Sequence, residues 1–448
     1  MSRPRTRAEY VAGLIPPSAA ATAGFSRRRF LHGAGIAAGA VSLSGVLSAC
    51  GGEESAGESG GGEVTVGINE APDSGRAYEQ AKGRLDAFGT ESGLTVAANY
   101  VDHNTFQESI NNYLQGSPDD VFTWFAGYRM RTFADSGLIG DISDVWPIDG
   151  VNDAFKEAST ATDGGQYFVP TNNYPWAIFY YRSLFEQNGY EVPTTLDQLI
   201  ALSKQMQTDG LTPIAFADKD GWPAMGTFDI LNMRINGYDA HLALMAGEES
   251  WETPEVRTVF ETWRELLPYH QSDSLGRTWQ EAASSLQQKQ AGMYLLGLFL
   301  TDSLPLEEQQ DIDFFTFPEI DSNIGADVLD APIDGFCMAA NPQNESGAKD
   351  LLRFLGSAAP NDALTAMDIP MISTNANADT SAYTDLQKRA SELIAKQSAI
   401  AQFLDRDTDP AFASTVMIPS LQQFIGAPDD IDGLLRSIEE QRKSIFPG

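Results

Sequence analysis

Apolar and polar residues alternate over 64–68 and again over 94–100, and 121–125 is a wholly apolar run, which together predict three short strands. A polar turn at 69–75 leads into a stretch of helical periodicity reaching about residue 91, and a second such stretch covers 104–114. Strand, helix, strand, helix, strand is the order of a parallel sheet with helical crossovers. Ligands of such sheets sit beyond the carboxyl ends of the strands. By that rule Asp73 and Ser74 in the first turn, and Trp124, Phe125 and Gly127 after the third strand, are placed at a cleft.

The pattern then changes. Residues 167–169 and 177–181 are rich in β-branched and aromatic side chains and too short for helices, so both read as strands flanking the polar segment TNNYP. Pro170 and Pro175 remove backbone donors and disfavour helix, while Asn172 and Asn173 tolerate turns, so the chain is expected to cross extended from one body to another. Asn172, Asn173 and Trp176 are left at that crossing. Beyond it come a short helix ended at Gly189, a turn at Pro193, and an amphipathic helix capped by Thr195 and ended at Gly210. A strand at 213–216 runs into the polar and aromatic loop holding Asp220 and Trp222. Helices are expected over 228–245, 254–267 and 279–290, and a strand over 312–317, near an edge because Pro318 follows.

Composition separates the start of the chain from the rest. Of 448 residues, 29 are Lys or Arg and 62 Asp or Glu; the first 49 hold six arginines against Glu9 alone, leaving 23 basic and 61 acidic side chains beyond them. Nucleic acid is a poor partner for such a charge. Ser26 to His32 (SRRRFLH) resembles the twin-arginine export signal, and the uncharged run of 17 residues to Ala49 ends in Leu47-Ser48-Ala49-Cys50, which resembles the lipobox of bacterial lipoproteins. A single transmembrane anchor is the alternative, but a run so rich in Gly, Ala and Ser is short and weakly apolar for a span. Cleavage and acylation of Cys50 are expected. The same run holds a dinucleotide-like glycine pattern from Gly33, discounted because no strand precedes it. Residues 51–63 (GGEESAGESGGGE) form a tether of ~20 Å root-mean-square reach. The remaining ~385 residues suit two lobes. Cys337, the second of two cysteines, has no partner and is expected as a buried thiol.

Taken in order, Asp163, Gly164, Tyr167, Val169, Pro170, Tyr181, Leu184, Phe185, Gly189, Pro193, Thr195, Gly210, Thr212, Pro213 and Ile214 resemble the extracellular solute-binding proteins of ABC importers, in the carbohydrate-binding family that includes maltose-binding protein. Asp119 to Trp124 with Ser136 to Ile139, Gly292 to Gly297, and Gly335 with Ala348, Phe354 and Leu355 extend the likeness over about 64–445, which implies a strand at 292–297, a strand at 331–340 containing Asp334, a helix at 348–355, and a further crossing at 369–373 before a helical carboxyl-terminal region. Where relatives continue Tyr181 as Asn-Lys this chain has Arg182-Ser183, so no role is carried to those two. The resemblance implies an α/β, two-lobed, periplasmic-binding-protein-like type II clamp, each lobe a mostly parallel sheet flanked by helices and joined by hinge crossings. Residues 1–49 would be the signal peptide, 50–63 acylated cysteine and linker, 64–171 with 330–370 one lobe, and 172–329 with 371–448 the other. It implies a monomer outside the cytoplasmic membrane, anchored by lipid on Cys50, that hands a carbohydrate to permease subunits without covalent chemistry or cofactor.

Sugars carry many hydroxyls that both donate and accept, so Asp73, Asn172, Asn173, Asp220, Asp334 and Arg129 are candidate polar contacts, with turn and cap chemistry as the alternative for each. Trp124, Trp176, Trp222 and Phe299, with Phe125 beside them, are candidate aromatic platforms, with core packing as the alternative. The likeness places Phe299 after the Gly292 to Gly297 strand, where an aromatic commonly packs on the sugar. Burying ~50–80 Å² of a pyranose face at roughly 25 cal/mol per Å² is ~1–2 kcal/mol per ring. No HExxH, CxxC pair, GxSxG or P-loop motif occurs, and the four histidines are scattered, so no catalytic residue or metal ligand is proposed. Three rivals stay open: a cationic solute such as a polyamine, ferric iron at Tyr180-Tyr181, and a glycoside hydrolase using two carboxylates.

Overall fold

The computed structural model describes residues 62–446, so the export signal, Cys50 and most of the tether lie outside the described residues. The first sheet contains β1 (Glu63–Ile68), β2 (Thr95–Tyr100), β3 (Val121–Phe125), β4 (Val169–Asn173) and, much later in the chain, β10 (Ile333–Met338), in the order β2-β1-β3-β10-β4. The second contains β5 (Trp176–Tyr181), β6 (Thr212–Ala215), β7 (Ala291–Gly297) and β8 (Ile312–Phe315), in the order β6-β7-β5-β8. A short parallel ladder joins β9 (Val328–Asp330) to β11 (Ala399–Ala401).

Each sheet has one reversed strand, and both reversals have the same cause. β10 runs antiparallel to β3 and β4, and β5 antiparallel to β7 and β8, whereas β1 pairs parallel with β2 and β3, and β6 with β7. β5 and β10 are the strands the chain enters directly after crossing between sheets. A chain arriving at the carboxyl end of the resident strands must run against them: Asp334 pairs with Phe125 at the end of β3, and Trp176 with Gly297 at the end of β7. The sheets share one prevailing direction, but because the reversed strands are interior, their ladders are mixed, not mostly parallel as expected.

The polar crossing segment is also more regular than expected. Pro170 to Asn173 is not a turn but most of β4, laid against β10 with a register shift between Asp334 and Gly335. A proline is tolerated because β4 is an edge strand. Gly335 is required: a Cβ there would stand 2.0 Å from the Val169 carbonyl oxygen. Thr374 donates through its amide to Thr171 and through its hydroxyl to Pro170, and Asn375 to Asp149 and Gly356, so the chain around 374–375 is tied to the first sheet.

Two apolar clusters cover the faces of the first sheet. Val64, Val66, Ile68, Phe336 and Leu351 meet on one side, and Phe122, Trp124, Phe106, Phe133 and Cys337 on the other. The Cys337 thiol is free, and burial pushes its pKa up. A third cluster centres on β5, β7 and the helix Pro223–Asn236, which is buried along nearly its whole length and packs Phe228 on Trp251. Tyr180 and Tyr181 belong to that core, Tyr180 against Phe185 and Phe315, Tyr181 donating to Glu308. Among the described residues no helix is long and apolar enough to cross a membrane.

Candidate functional site

A cavity of about 610 Å³ lies between the sheets, at the carboxyl ends of β1, β3 and β7 and the entry points of β5 and β10. Strand ends leave backbone groups and side chains unpacked, which is why both sheets present polar loops here. Asp73, Trp124, Phe125, Asn172, Asn173, Trp176, Trp222, Phe299 and Asp334 all line it. Two sequence candidates do not. Arg129 stands behind the wall, its guanidinium 4.7 Å from the Trp124 ring centre and paired with Asp405 at 2.8 Å, so its charge is answered within the protein. Asp220 lies on the loop before the helix Pro223–Asn236 and meets Asn104, a cavity residue, while burial raises its pKa.

The aromatic candidates divide by exposure. Trp124 is 1% and Trp176 2% exposed, so neither offers a ring face of the size a platform needs, and core packing accounts for both. Trp176 is held edge-on by Trp222 and tilted by Phe403 and Phe299, and its Nε1 fills the space a Cβ at Gly226 would take, 2.5 Å away. Trp222, Phe299, Trp279 and Tyr174 are only partly buried, with Phe299 5.2 Å from Trp279 and 5.4 Å from Tyr174. These rings form one continuous aromatic wall.

Asp334 is answered from the other sheet's side. Arg406, on the short helix Leu404–Asp407, donates to its Oδ1 at 2.9 Å, lies 4.0 Å over the Phe125 ring, and shares Tyr174 with it. Burial would lower the Arg406 pKa, but Asp334, Tyr174 and Asp405 raise it further than burial pulls it down. Arg84 is the opposite case: buried, with one hydrogen bond to Thr171 Oγ1 at 3.3 Å, an unpartnered Nε, and no described carboxylate within ion-pair distance. Burial lowers its pKa to about 10, so it stays charged at neutral pH. Burial pushes the Glu70 carboxyl up to about 7 and the Asp302 carboxyl up to about 6.

Sequence reasoning missed Glu70, Arg84, Asp302, Asp405, Arg406, Trp279 and Phe403. Glu70 was legible, since it shares the polar turn with Asp73. Tyr174 sits inside the TNNYP segment and was passed over. Phe403 to Arg406 carried no signal, because contacts remote in sequence, among them the β9–β11 ladder and the bond from Leu404 to Asp229, bring that helical region beside β10.

Two α/β bodies joined by crossings around a polar and aromatic cavity are the architecture of a solute-capturing receptor. The chain belongs to the family of bacterial extracellular solute-binding proteins, whose pattern it matches over residues 83–391. It superposes on the bacterial solute receptor AcbH, described as having an exclusive substrate preference for β-D-galactopyranose, with a TM-score of 0.84 and 44% identity over 86% of this chain and 100% of that one. An uncharacterized ABC-transporter extracellular-binding protein of Pyrococcus horikoshii is 27% identical over 250 residues, 54% of this chain and 56% of that protein. A second from the same organism is matched over 48% of its length, so the chain spans about half of these two relatives. The osmoprotective-compounds-binding protein GgtB of Synechocystis sp. is 23% identical over 82% of this chain and 89% of its own.

Proposed function

We propose that this protein captures a carbohydrate, a single hexopyranose of the galactose type, in the cavity between its sheets and delivers it to the permease of an ABC importer. The observation that carries the reading is the make-up of the walls. Partly buried rings at Trp222, Phe299 and Trp279 offer an apolar face, while cavity residues Arg84, Asn173 and Trp222 each hold a buried donor with no partner in the protein. A ligand that satisfies them must present acceptor oxygens on an apolar frame, as a sugar does. A polyamine has only donors and would leave Arg84 facing like charge, so the cationic reading is disfavoured. The likeness to a galactopyranose receptor supports one sugar ring over an oligosaccharide.

In this reading the lobes move about the crossings, 64–171 with 330–370 against 172–329 with 371–448, each edge shifted by the few residues that β4 and 374–375 add to the first. The protein is exported by its twin-arginine signal, held by lipid on Cys50 outside the cytoplasmic membrane, and works as a monomer without catalysis. Calorimetric titration with D-galactose, D-glucose, maltose, raffinose and spermidine tests it. One monosaccharide is expected to bind at a single site; binding of spermidine with no response to any sugar would overturn the reading.

A further inference from the structure

Glu70 and Asp302 reach the cavity from opposite bodies. Glu70 follows β1 of the first sheet, and Asp302 lies on the 3-10 turn Leu298–Ser303 that follows β7 of the second. Their segments touch across the cleft: a Cβ at Gly75 would stand 3.7 Å from the Asp302 carbonyl oxygen, and Arg76 Nε lies 3.7 Å from Asp302 Oδ1. Glu70 bonds Ser74 and feels the negative charges of Asp302 and Asp334 and the positive charge of Arg84. The cavity's other charges are committed or remote. Arg406 holds Asp334 at 2.9 Å, Asp405 is paired with Arg129, burial keeps His103 below its ordinary pKa, and Asp73 and Asp102 are exposed.

We propose that closing the cleft over its ligand takes up protons at the Glu70 and Asp302 carboxyls, so that the receptor grips its sugar in mildly acidic solution and loosens as the pH rises. The ligand assumed is that of the function proposed above. With the two segments in contact, burial sets these groups at about 7 and about 6; the Asp302 charge adds to the shift at Glu70, while the Arg76 guanidinium opposes the shift at Asp302. Opening the cleft returns water to both carboxyls and separates them, so their pKa values fall toward the ordinary carboxylate range near 4. A group with the higher pKa in the closed form favours closure below its open-form value and loses that contribution as pH rises through its closed-form value. The window is therefore about pH 4 to 7. Within it, each proton taken up is worth roughly tenfold in affinity per pH unit.

The test is calorimetric titration of the intact protein with D-galactose and, in parallel, the sugar panel above, between pH 5.5 and 8. At pH 6.5 it is repeated in two buffers of different ionisation enthalpy, which counts protons taken up on binding. Affinity is expected to tighten by about tenfold or more from pH 8 to 5.5, with net proton uptake. E70Q and D302N should each reduce that uptake and flatten the profile. Sugar binding with no proton uptake and a dissociation constant flat within twofold would overturn the proposal while leaving the sugar reading intact, as would uptake that is undiminished in both variants. If no sugar binds, the sugar reading fails by itself, and small-angle scattering of the ligand-free protein decides the proton question. Compaction at pH 5.5 that each variant reduces supports it, and an unchanged radius of gyration overturns it.

Discussion

The two walls of the cleft are built from opposite materials. The first body contributes Glu70, Asp73, Asn172, Asn173 and Asp334, polar groups on or just beyond its strands, and Arg84 from the helix Arg76–Ser92; the second contributes Trp222, Trp279 and Phe299, backed by the buried Trp176 and Phe403 in one connected cluster of rings. A sugar ring has the same division, with hydroxyls round its edge and carbon-bonded hydrogens on its faces. In the function proposed above, one wall selects among hydroxyl patterns and the other contributes area. The exceptions show how the walls are joined. Trp124 and Phe125 on the polar side lie under Arg129 and Arg406, Arg406 comes from beyond the second sheet to bind Asp334, and Asp302 brings a carboxyl to the cavity from the aromatic side.

The comparison can be broken most forcefully inside the aromatic wall. Trp176→Ala should cost about 3–5 kcal/mol of stability, because the ring is 2% exposed and its removal leaves a cavity among Trp222, Phe299 and Phe403; chemical denaturation of the ligand-free protein measures it. Arg406→Ala should follow at about 2–3 kcal/mol by the same measurement, since Asp334 loses the partner across the cleft and Phe125 loses its covering cation. Trp222→Ala should leave the ligand-free protein closer to wild type than Trp176→Ala and weaken sugar binding about tenfold, ~1–2 kcal/mol of buried ring face. If Trp222→Ala unfolds the protein as readily as Trp176→Ala, the division between core and platform rings is wrong. The smallest effect should come from Asp220→Ala, which removes a group outside the lining and should change affinity less than twofold in the same titration.

Periodicity made β1, β2, β3 and β8 legible, because each alternates or runs apolar between turn residues, whereas β7 was legible through its likeness to a family strand. β4 was read short: Pro170 and two asparagines look like a turn, and nothing local says that an edge position would tolerate them. Asp334 could be placed from the glycine-containing strand around it, but its partner Arg406 lies 72 residues further on, just after the three-residue β11, which is too short to show a pattern in the sequence. Trp124 and Trp176 show the limit from the other side. Both were placed at strand ends, and both are there, yet the ring beside a strand end packs inward when a helix or a second ring covers it. Burial of that kind depends on contacts remote in sequence, which local pattern does not carry.

The account's central claim is that one sugar ring is clamped between a polar wall from the first sheet and an aromatic wall from the second. The most direct test is a crystal structure of the protein grown with D-galactose. The account predicts one pyranose in the cleft, its face against Trp222 or Phe299 and its hydroxyls within hydrogen-bond distance of groups from the first sheet, Asn173 or Arg84 among them. A sugar bound outside the cleft, or held by one wall with the other turned away, would contradict it.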